Sequence, residues 1–316
     1  MASDFAMFLG KKTADDLTPK WFFKFKKRHP DMNLRKNPEF LHEDIKVQME
    51  RASRKENIVQ YFRKLKEAMN ECGVSDKPHL IYSVDEKQPG SHNIHNNLIP
   101  PAQSKTTTLI CCGNASGHSF PPFLVIPNEM MSIKLVMQAT PGTTVASTPS
   151  GKSNTKVFKV FLKQHFLKYV KPTPEEPVLL IYSGRKSQIS MEISELAITN
   201  NIRLFLLPAH TSRFLQPLDA ACFGPLDESF LSSKDQVVEL NQTGILPSWD
   251  MLLQMTCKAY KDGMKNDNLK TSFRETGIYP LVDIDAPIDE SIFTPSNDKV
   301  EGTQDIKYPV LVEILR

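Results

Sequence analysis

Cysteine is scarce in this sequence, and no motif pairs the few that occur. There are five cysteines among 316 residues, and no two of them have the C-x-x-C spacing. An odd number of cysteines in a chain of this length argues against a disulfide framework. We therefore expect inert or buried thiols in a reducing compartment. The eight histidines form neither an H-E-x-x-H motif nor zinc-finger spacing, so no zinc site is predicted.

Long apolar runs are also missing. The longest candidates, PVLLIY (177–182) and RLFLLPA (203–209), fall far short of the roughly 18 residues that a membrane-spanning helix needs. The N-terminus carries Asp4 and places its apolar residues before its lysines, which is unlike a secretory signal. We therefore expect no membrane partner. The chain is 40% hydrophobic and 24% charged, which is typical of a globular protein and excludes disorder throughout.

Positive charge is concentrated near the N-terminus. The formal net charge is +3, but residues 20–66 alone carry +8 and the remainder carries −5. Aromatic residues alternate with lysines in WFFKFKKRHP (21–30), a pattern that favours a small DNA-binding helical unit. The asymmetry predicts that this segment contacts a polyanion. The candidate DNA-binding residues are Lys20, Lys24, Lys26, Lys27, Arg28, Arg35 and Lys36.

A second interpretation of the same residues stays open. A basic run is often only the solvated face of a helix, and KFKKRH (24–29) is also compatible with a nuclear-localisation patch. Under this interpretation the segment has no role in binding DNA.

The remainder of the chain alternates between strands and helices. Apolar patterning predicts a helix over 51–72, followed by strands over 79–85, 106–115 and 120–127 and a polar surface loop over 138–153. After the loop it predicts two buried strands, over 177–183 and 203–208. Helices are predicted over 154–170 and 190–199 and from about Pro217. On the helix over 154–170, His165 falls on the apolar face and is expected to be a packed side chain. Beyond residue 235 the chain is predicted to be helical, with a loosely ordered tail. This alternation indicates an α/β layer with a partly parallel sheet.

Two acids follow or end predicted strands. Asp85 ends the strand over 79–85, and Asp219 opens the helix after the strand over 203–208. Open α/β sheets bind ligands outside the carboxyl ends of their strands, so both acids are candidate site residues. Each also has a structural interpretation, Asp85 as a turn residue and Asp219 as a first-turn carboxylate favoured by the helix dipole.

Seven colinear segments resemble one family. The segments are DFAMFLG (4–10), WFFKFKKRHPDMNLRK (21–36), YSVDE (82–86), LICCGNASGHSFPPFLV (109–125), PVLLIYSGRKSQIS (177–190), LFLLPAHTSRFLQPLD (204–219) and FRETGIYPL (273–281). In these segments the sequence is similar to the transposases of the pogo/Tigger type and their jerky-like domesticated relatives. The first two segments resemble the second half of a centromere-protein-B-type helix-turn-helix.

The resemblance implies an RNase-H-like catalytic domain, an α/β fold with a mixed sheet flanked by helices. In that domain three carboxylates hold two divalent metals, Mg²⁺ or Mn²⁺, about 3.5–4 Å apart. Asp85 matches the first acid and Asp219 the third. At the place of the second acid this sequence has Ser183, with 35 residues between it and Asp219. Gln188 stands where the family commonly has a histidine.

These departures lead to the following expectations. The catalytic centre is predicted to be degenerate, with Asp85 and Asp219 as remnant acids, weak or no metal binding, and no required cofactor. The predicted domains are a partial helix-turn-helix over 1–50, a connecting helix over 51–75, a degenerate DDE domain over 76–235 and a helical extension with a tail over 236–316.

Because the first helix-turn-helix unit of the family is not seen, binding to double-stranded DNA is expected to be weak and salt-sensitive. The expected location is the nucleus, and a homodimer is one use for a retained domain. Two alternatives stay open. One is a residually active metal-dependent endonuclease or transposase, and the other is an interaction scaffold that does not bind DNA.

Overall fold

The computed structural model describes residues 55–89, 106–241 and 248–282. The six strands are β1 (Ile81–Lys87), β2 (Thr108–Asn114), β3 (Phe123–Pro127), β4 (Thr144–Thr148), β5 (Val178–Tyr182) and β6 (Ile202–Leu206). The helices before β6 are α1 (Lys55–Glu71), α2 (Ile133–Val136), α3 (Thr155–Val160, continued by a π-helical segment Phe161–Phe166 and a last turn Leu167–Tyr169) and α4 (Met191–Thr199). The later helices are α5 (Ser212–Leu215), α6 (Pro217–Ala221), α7 (Phe223–Asn241), α8 (Trp249–Gly263) and α9 (Asn266–Glu275).

The strands form one mixed sheet in the order β4-β3-β2-β1-β5-β6. Strands β1, β5 and β6 are parallel, whereas β2 pairs antiparallel with both β1 and β3. Strand β4 extends the other edge and runs parallel to β3. This mixed sheet, flanked by helices, has the RNase-H-like architecture that the resemblance implied, so the predicted fold class is confirmed.

Each face of the sheet is covered by its own apolar cluster. Along β2, Ile110 and Cys112 face the cluster formed with α1, α3 and α4, while Leu109 and Cys111 face the cluster formed with α6 to α9. Alternate side chains of a strand point to opposite faces, so a strand buried on both sides becomes almost continuously apolar. All seven residues of β2 and all five of β3 are accordingly buried. The five cysteines are unpaired, with four buried and Cys72 half-buried.

Three details of the predicted secondary structure were wrong. The strand predicted over 79–85 begins only at Ile81, after a 3₁₀ turn over Pro78–Leu80, and continues to Lys87, so Asp85 neither ends the strand nor lies in a turn. The stretch over 138–153 was predicted to be a surface loop, but it contains strand β4. As an edge strand β4 is mostly half-buried, so its polar sequence TVAST gave no apolar signal. The strand over 203–208 was predicted to be buried, but β6 pairs only with β5 among the described strands and leaves Arg203 and Leu206 exposed.

His165 lies inside the first apolar cluster, as its helical position predicted. Its Nδ1 lies 2.8 Å from Thr144 Oγ1, and its Nε2 lies 2.8 Å from the carbonyl oxygen of Pro121. A carbonyl only accepts, so Nε2 carries the proton and Nδ1 accepts from the Thr144 hydroxyl. Burial lowers the pKa of His165, which favours this neutral form. The prediction of a packed side chain is confirmed.

Helices at both ends of the described chain pack on the sheet. Helix α1 contributes Phe62 and Leu65 to the first cluster, and α8 and α9 contribute Tyr260 and Leu269 to the second. Residues 1–54 lie outside the described residues, so the partial helix-turn-helix and the proposed domain boundaries stay predictions.

Candidate active site

Strand register places two of the candidate residues side by side. In the parallel pairing of β1 with β5, Val84 lies opposite Tyr182, so the next residues along the two strands are Asp85 and Ser183. The Oγ of Ser183 lies 3.0 Å from Oδ1 of Asp85 and donates a hydrogen bond to it. Asp85 itself is fully buried. The two positions predicted from the ends of the strands therefore do meet.

The turn after β5 is held together by Gln188. Its side-chain oxygen accepts hydrogen bonds from the amides of Gly184 at 3.1 Å and Arg185 at 3.3 Å, and it lies 3.1 Å from the Ser183 hydroxyl. Gly184 has φ of 72°, in the left-handed region that favours glycine, and a Cβ there would collide with Leu206. The turn thus reverses the chain tightly and brings the next residues back over the end of β1.

Arg185 is the residue that this turn brings to Asp85. Its Nε lies 3.2 Å from Oδ1 of Asp85, the same oxygen that accepts from Ser183. The Asp85 side chain is completely buried, whereas 54% of the Arg185 side chain is exposed. A buried carboxylate is therefore paired with a guanidinium whose outer part faces solvent.

Asp219 lies in the first turn of α6. The residue that precedes this helix, Gln216, is fully buried and fixes it to β1, accepting from Ser83 Oγ at 2.6 Å and donating to the Val84 carbonyl at 3.2 Å. Burial raises the pKa of Asp219 to about 7, and the negative charge of Asp85 contributes to the same shift. Asp219 is therefore close enough to Asp85 for their charges to interact.

A second cation lies two residues beyond Asp85 on the same strand. Lys87 is buried, and its Nζ lies 2.5 Å from Oδ2 of Asp227 and 5.3 Å from the centroid of the Phe223 ring. Residues two apart on a strand share a face, so Lys87 lies on the same side of β1 as Asp85. Its positive charge lowers the pKa of Asp219 and partly offsets the effect of burial.

Three further acids in this part of the sequence, Glu86, Glu176 and Glu192, contact other side chains and not that of Asp85. Glu86 accepts a hydrogen bond from Ser187 Oγ at 2.7 Å, and burial raises its pKa. Glu192 of α4 bonds Lys159 at 2.6 Å, on the surface between α3 and α4. Glu176, before β5, lies 3.7 Å from Lys77 at the other end of the strand. Of these three acids, only Glu86 is next to Asp85 in the chain, and its carboxylate accepts the hydrogen bond from Ser187 of the turn.

The residues present do not fit a pair of divalent metal ions. Two dications need several anionic oxygens, with a carboxylate bridging them in the most favourable case. One buried oxygen, Asp85 Oδ2, has no hydrogen-bond partner among the described residues and could serve. The other oxygen already faces Ser183 and Arg185, and the middle position offers a neutral hydroxyl. Within the ranges described, no group of three or more His, Cys, Asp or Glu side chains is arranged to hold a metal.

Sequence reasoning missed Arg185, Lys87 and Asp227. Lys87 lies two residues beyond Asp85 on the same strand, and that alternation was a usable signal, whereas the approach of Arg185 depends on the turn after β5 and gave none. The seven candidate DNA-binding residues, Lys20, Lys24, Lys26, Lys27, Arg28, Arg35 and Lys36, lie outside the described residues and remain predictions.

The family of the chain follows from its sequence. The DDE superfamily endonuclease family matches residues 103–273, which is more than half of the chain. The chain therefore belongs to the DDE superfamily endonuclease family. The matched region includes Ser183 and Asp219 and begins after Asp85.

Similar proteins include both a curated sequence and solved structures. The MFS-type transporter clz9 of Cochliobolus lunatus is 28% identical over 192 residues, which cover 58% of this chain and 20% of that protein. The chain thus spans about a fifth of the length of this relative. In the described part of the chain, no helix has the length and apolar character needed to cross a membrane.

Two of the similar solved structures come from the Mos1 mariner transposase. Its catalytic domain is 13% identical, with a TM-score of 0.31, over 70% of this chain and 93% of that one. Its paired-end complex with the left transposon end is 16% identical, with a TM-score of 0.35, over 79% of this chain and 70% of that one.

Proposed function

We propose that this chain is a transposon-derived nuclear protein of the pogo/Tigger and jerky-like type that binds DNA and has a degenerate DDE site. The observation that carries the proposal is the hydrogen bond of 3.0 Å from Ser183 to Asp85. At the end of β5, where the resemblance calls for a second acid, a hydroxyl donates a proton toward the first acid. The hydroxyl oxygen keeps lone pairs but carries no negative charge, so it attracts a dication far less than the carboxylate that the resemblance calls for.

The surroundings of Ser183 support the same conclusion. The side-chain oxygen of Gln188 lies 3.1 Å from the Ser183 hydroxyl and also accepts hydrogen bonds from two backbone amides of the turn. The uncharged side chain of Ser183 is thus part of a hydrogen-bond network. Because Ser183 is uncharged and already hydrogen-bonded, this position adds little to the attraction of the site for a dication.

The DNA-binding part of the proposal is supported by the family and by charge. DDE superfamily membership makes DNA the expected partner, and the segment over 20–66 carries +8. Such a segment attracts and positions DNA through its phosphates, without reading the base sequence. The proposal places the protein in the nucleus. In it, the RNase-H-like domain acts as a scaffold for a homodimer or for a protein partner.

The test is binding of the purified protein to a labelled random duplex across a salt series, in EDTA. We expect the affinity to fall steeply with salt, with a log–log slope of about 0.9 for each phosphate neutralised. A variant with Lys24, Lys26, Lys27 and Arg28 changed to Ala should lose most of the binding. Absence of binding by the unmodified protein even at low salt would reject DNA binding and leave the interaction scaffold.

A further inference from the structure

The guanidinium of Arg185 occupies the part of the site where the family's chemistry calls for a cation. It approaches Oδ1 of Asp85 to 3.2 Å, from a turn fixed by Gly184 and Gln188. Asp85 is fully buried, and an isolated buried carboxylate is strongly unfavourable, so a partner charge is required. Arg185 supplies that charge from within the chain.

The pairing leaves most of the guanidinium unused. The hydrogen bond to Asp85 is made through Nε, at 3.2 Å. Arginine has five N–H donors in a planar fork that matches the geometry of phosphate. Because 54% of the side chain is exposed, the outer donors are open to an anion arriving from solvent.

The basic character of the surface continues beside Arg185. Lys186 is the next residue and is exposed, and its carbonyl accepts from Thr155 Oγ1 at 3.5 Å at the start of α3. From this point α3 carries the exposed lysines Lys156 and Lys163. Residues 152–171 contain six lysines and no acid. A run of cations next to one another suits a polyanion better than a single small anion.

We infer that Arg185 is a fixed cation that takes the place of the divalent metals at this site and contacts a backbone phosphate of bound DNA. Asp85 holds the guanidinium in place through Nε, and the outer N–H groups donate to the phosphate oxygens. The contact needs no metal ion. This inference rests on the proposed function, because it requires that the protein binds DNA.

The first test compares two matched arginine variants in the duplex salt series, with EDTA throughout. Arg203 is the control: 55% of its side chain is exposed, and it is likewise paired with one carboxylate, Glu71, at 2.9 Å. Arg185→Ala should weaken binding roughly tenfold at low salt and reduce the log–log slope by about 0.9. Arg203→Ala should leave affinity and slope unchanged.

The outcomes separate this inference from the proposed function. If the unmodified protein binds DNA and the Arg185→Ala variant binds with the same slope, the inference is wrong and the proposed function stands. If the two arginine variants lose the same affinity, the effect is a general surface charge effect and the inference is again wrong. If the unmodified protein does not bind, both are rejected.

The second test asks whether Arg185 stands in for the metal, by measuring melting temperatures with Mn²⁺ and with EDTA. The unmodified protein and Ser183→Asp should melt at the same temperature in both buffers. The double variant Ser183→Asp/Arg185→Ala should melt several degrees higher in Mn²⁺, because ligand binding to the folded state stabilises it. If Mn²⁺ raised the melting temperatures of the single and double variants equally, or did not raise that of the double variant, the inference that Arg185 takes the place of the metals would be wrong.

Discussion

His165 and Asp85 are buried polar side chains on the two sides of this molecule, and they differ in how completely they are hydrogen-bonded. His165 has a partner for each ring nitrogen, at 2.8 Å in both cases, and burial keeps it neutral. Asp85 has two donors at one oxygen and none at the other among the described residues. Buried polar groups are normally hydrogen-bonded, so the unpartnered oxygen of Asp85 needs an explanation, and the position of Asp85 in the DDE site offers one.

The comparison teaches how to separate structural from functional polar residues. His165 is surrounded by aromatic rings, with the centroids of Phe123 and Tyr169 at 5.5 and 5.1 Å, and its loss would leave a cavity. Asp85 lies within β1, two residues before its end, beside the turn that follows β5 and the partly exposed Arg185. The following predictions test whether this difference has the expected energetic consequences.

The largest expected effect is on the stability of a His165→Ala variant. Removing the ring leaves a cavity and deprives the Thr144 hydroxyl and the Pro121 carbonyl of their partner, so we expect a loss of about 3 kcal/mol in the free energy of unfolding. Asp85→Asn keeps the shape of the side chain and should cost no more than about 1 kcal/mol. Urea denaturation measures both. If Asp85→Asn were as unstable as His165→Ala, the distinction between a structural polar residue and a site residue would be lost.

The next effect concerns Ser183→Asp without metal. A second carboxylate beside the buried Asp85 should lower the free energy of unfolding by about 2 kcal/mol in EDTA, because like charges repel where they are poorly solvated. Ser194→Asp, on the exposed face of α4, is the control and should change stability by less than about 0.5 kcal/mol. Equal stability of the two variants would mean that the new carboxylate escapes to solvent.

A third effect is the pH dependence set by Asp219. Its pKa is raised from 3.8 to about 7, so the folded state binds a proton more tightly than the unfolded state. Its contribution therefore lowers stability as pH rises from about 4 to about 7. Asp219→Asn removes this term, and in EDTA the variant should exceed the unmodified protein by about 1–2 kcal/mol at pH 8, after allowance for partial exposure. At pH 4 the two should be equally stable, and a constant difference at both pH values would contradict the account.

The smallest effect has the opposite sign and comes from His165. Burial lowers its pKa below the ordinary value of 6.5, so the unfolded state binds the proton more tightly and stability falls as pH drops below 6.5. His165→Gln retains polar atoms but cannot titrate, so the slope of stability between pH 7 and 5 should flatten, by less than about 1.4 kcal/mol per pH unit. Chemical unfolding at several pH values measures it, and an unchanged slope would assign the acid sensitivity to other groups.

Much of the sheet could be predicted from sequence because its central strands are buried on both faces. Strands β1, β2, β3 and β5 all follow from short apolar runs. Edge strands gave weaker signals. The polar β4 was missed, and β6 was predicted to be more buried than it is. The π-helical segment Phe161–Phe166 has no counterpart in a simple helical pattern.

The site was predictable where strand ends alone define it. Asp85 and Ser183 do lie side by side, because the parallel register of β1 and β5 aligns them, although β1 continues two residues beyond Asp85. Arg185 and Gln188 reach the site through a turn that depends on the positive φ of Gly184, and such geometry is not visible in spacing. The pairing of Lys87 with Asp227 joins β1 to α7, elements that are far apart in the sequence.

The most direct test of the central claim, that this DDE site no longer works with metals, is nicking of supercoiled plasmid by the purified protein in Mn²⁺. The Asp85→Ala variant is run in parallel, and EDTA gives the background. We expect the unmodified protein to nick no faster than the variant or the EDTA control. Mn²⁺-dependent nicking that disappears in Asp85→Ala would contradict the account and establish a working endonuclease.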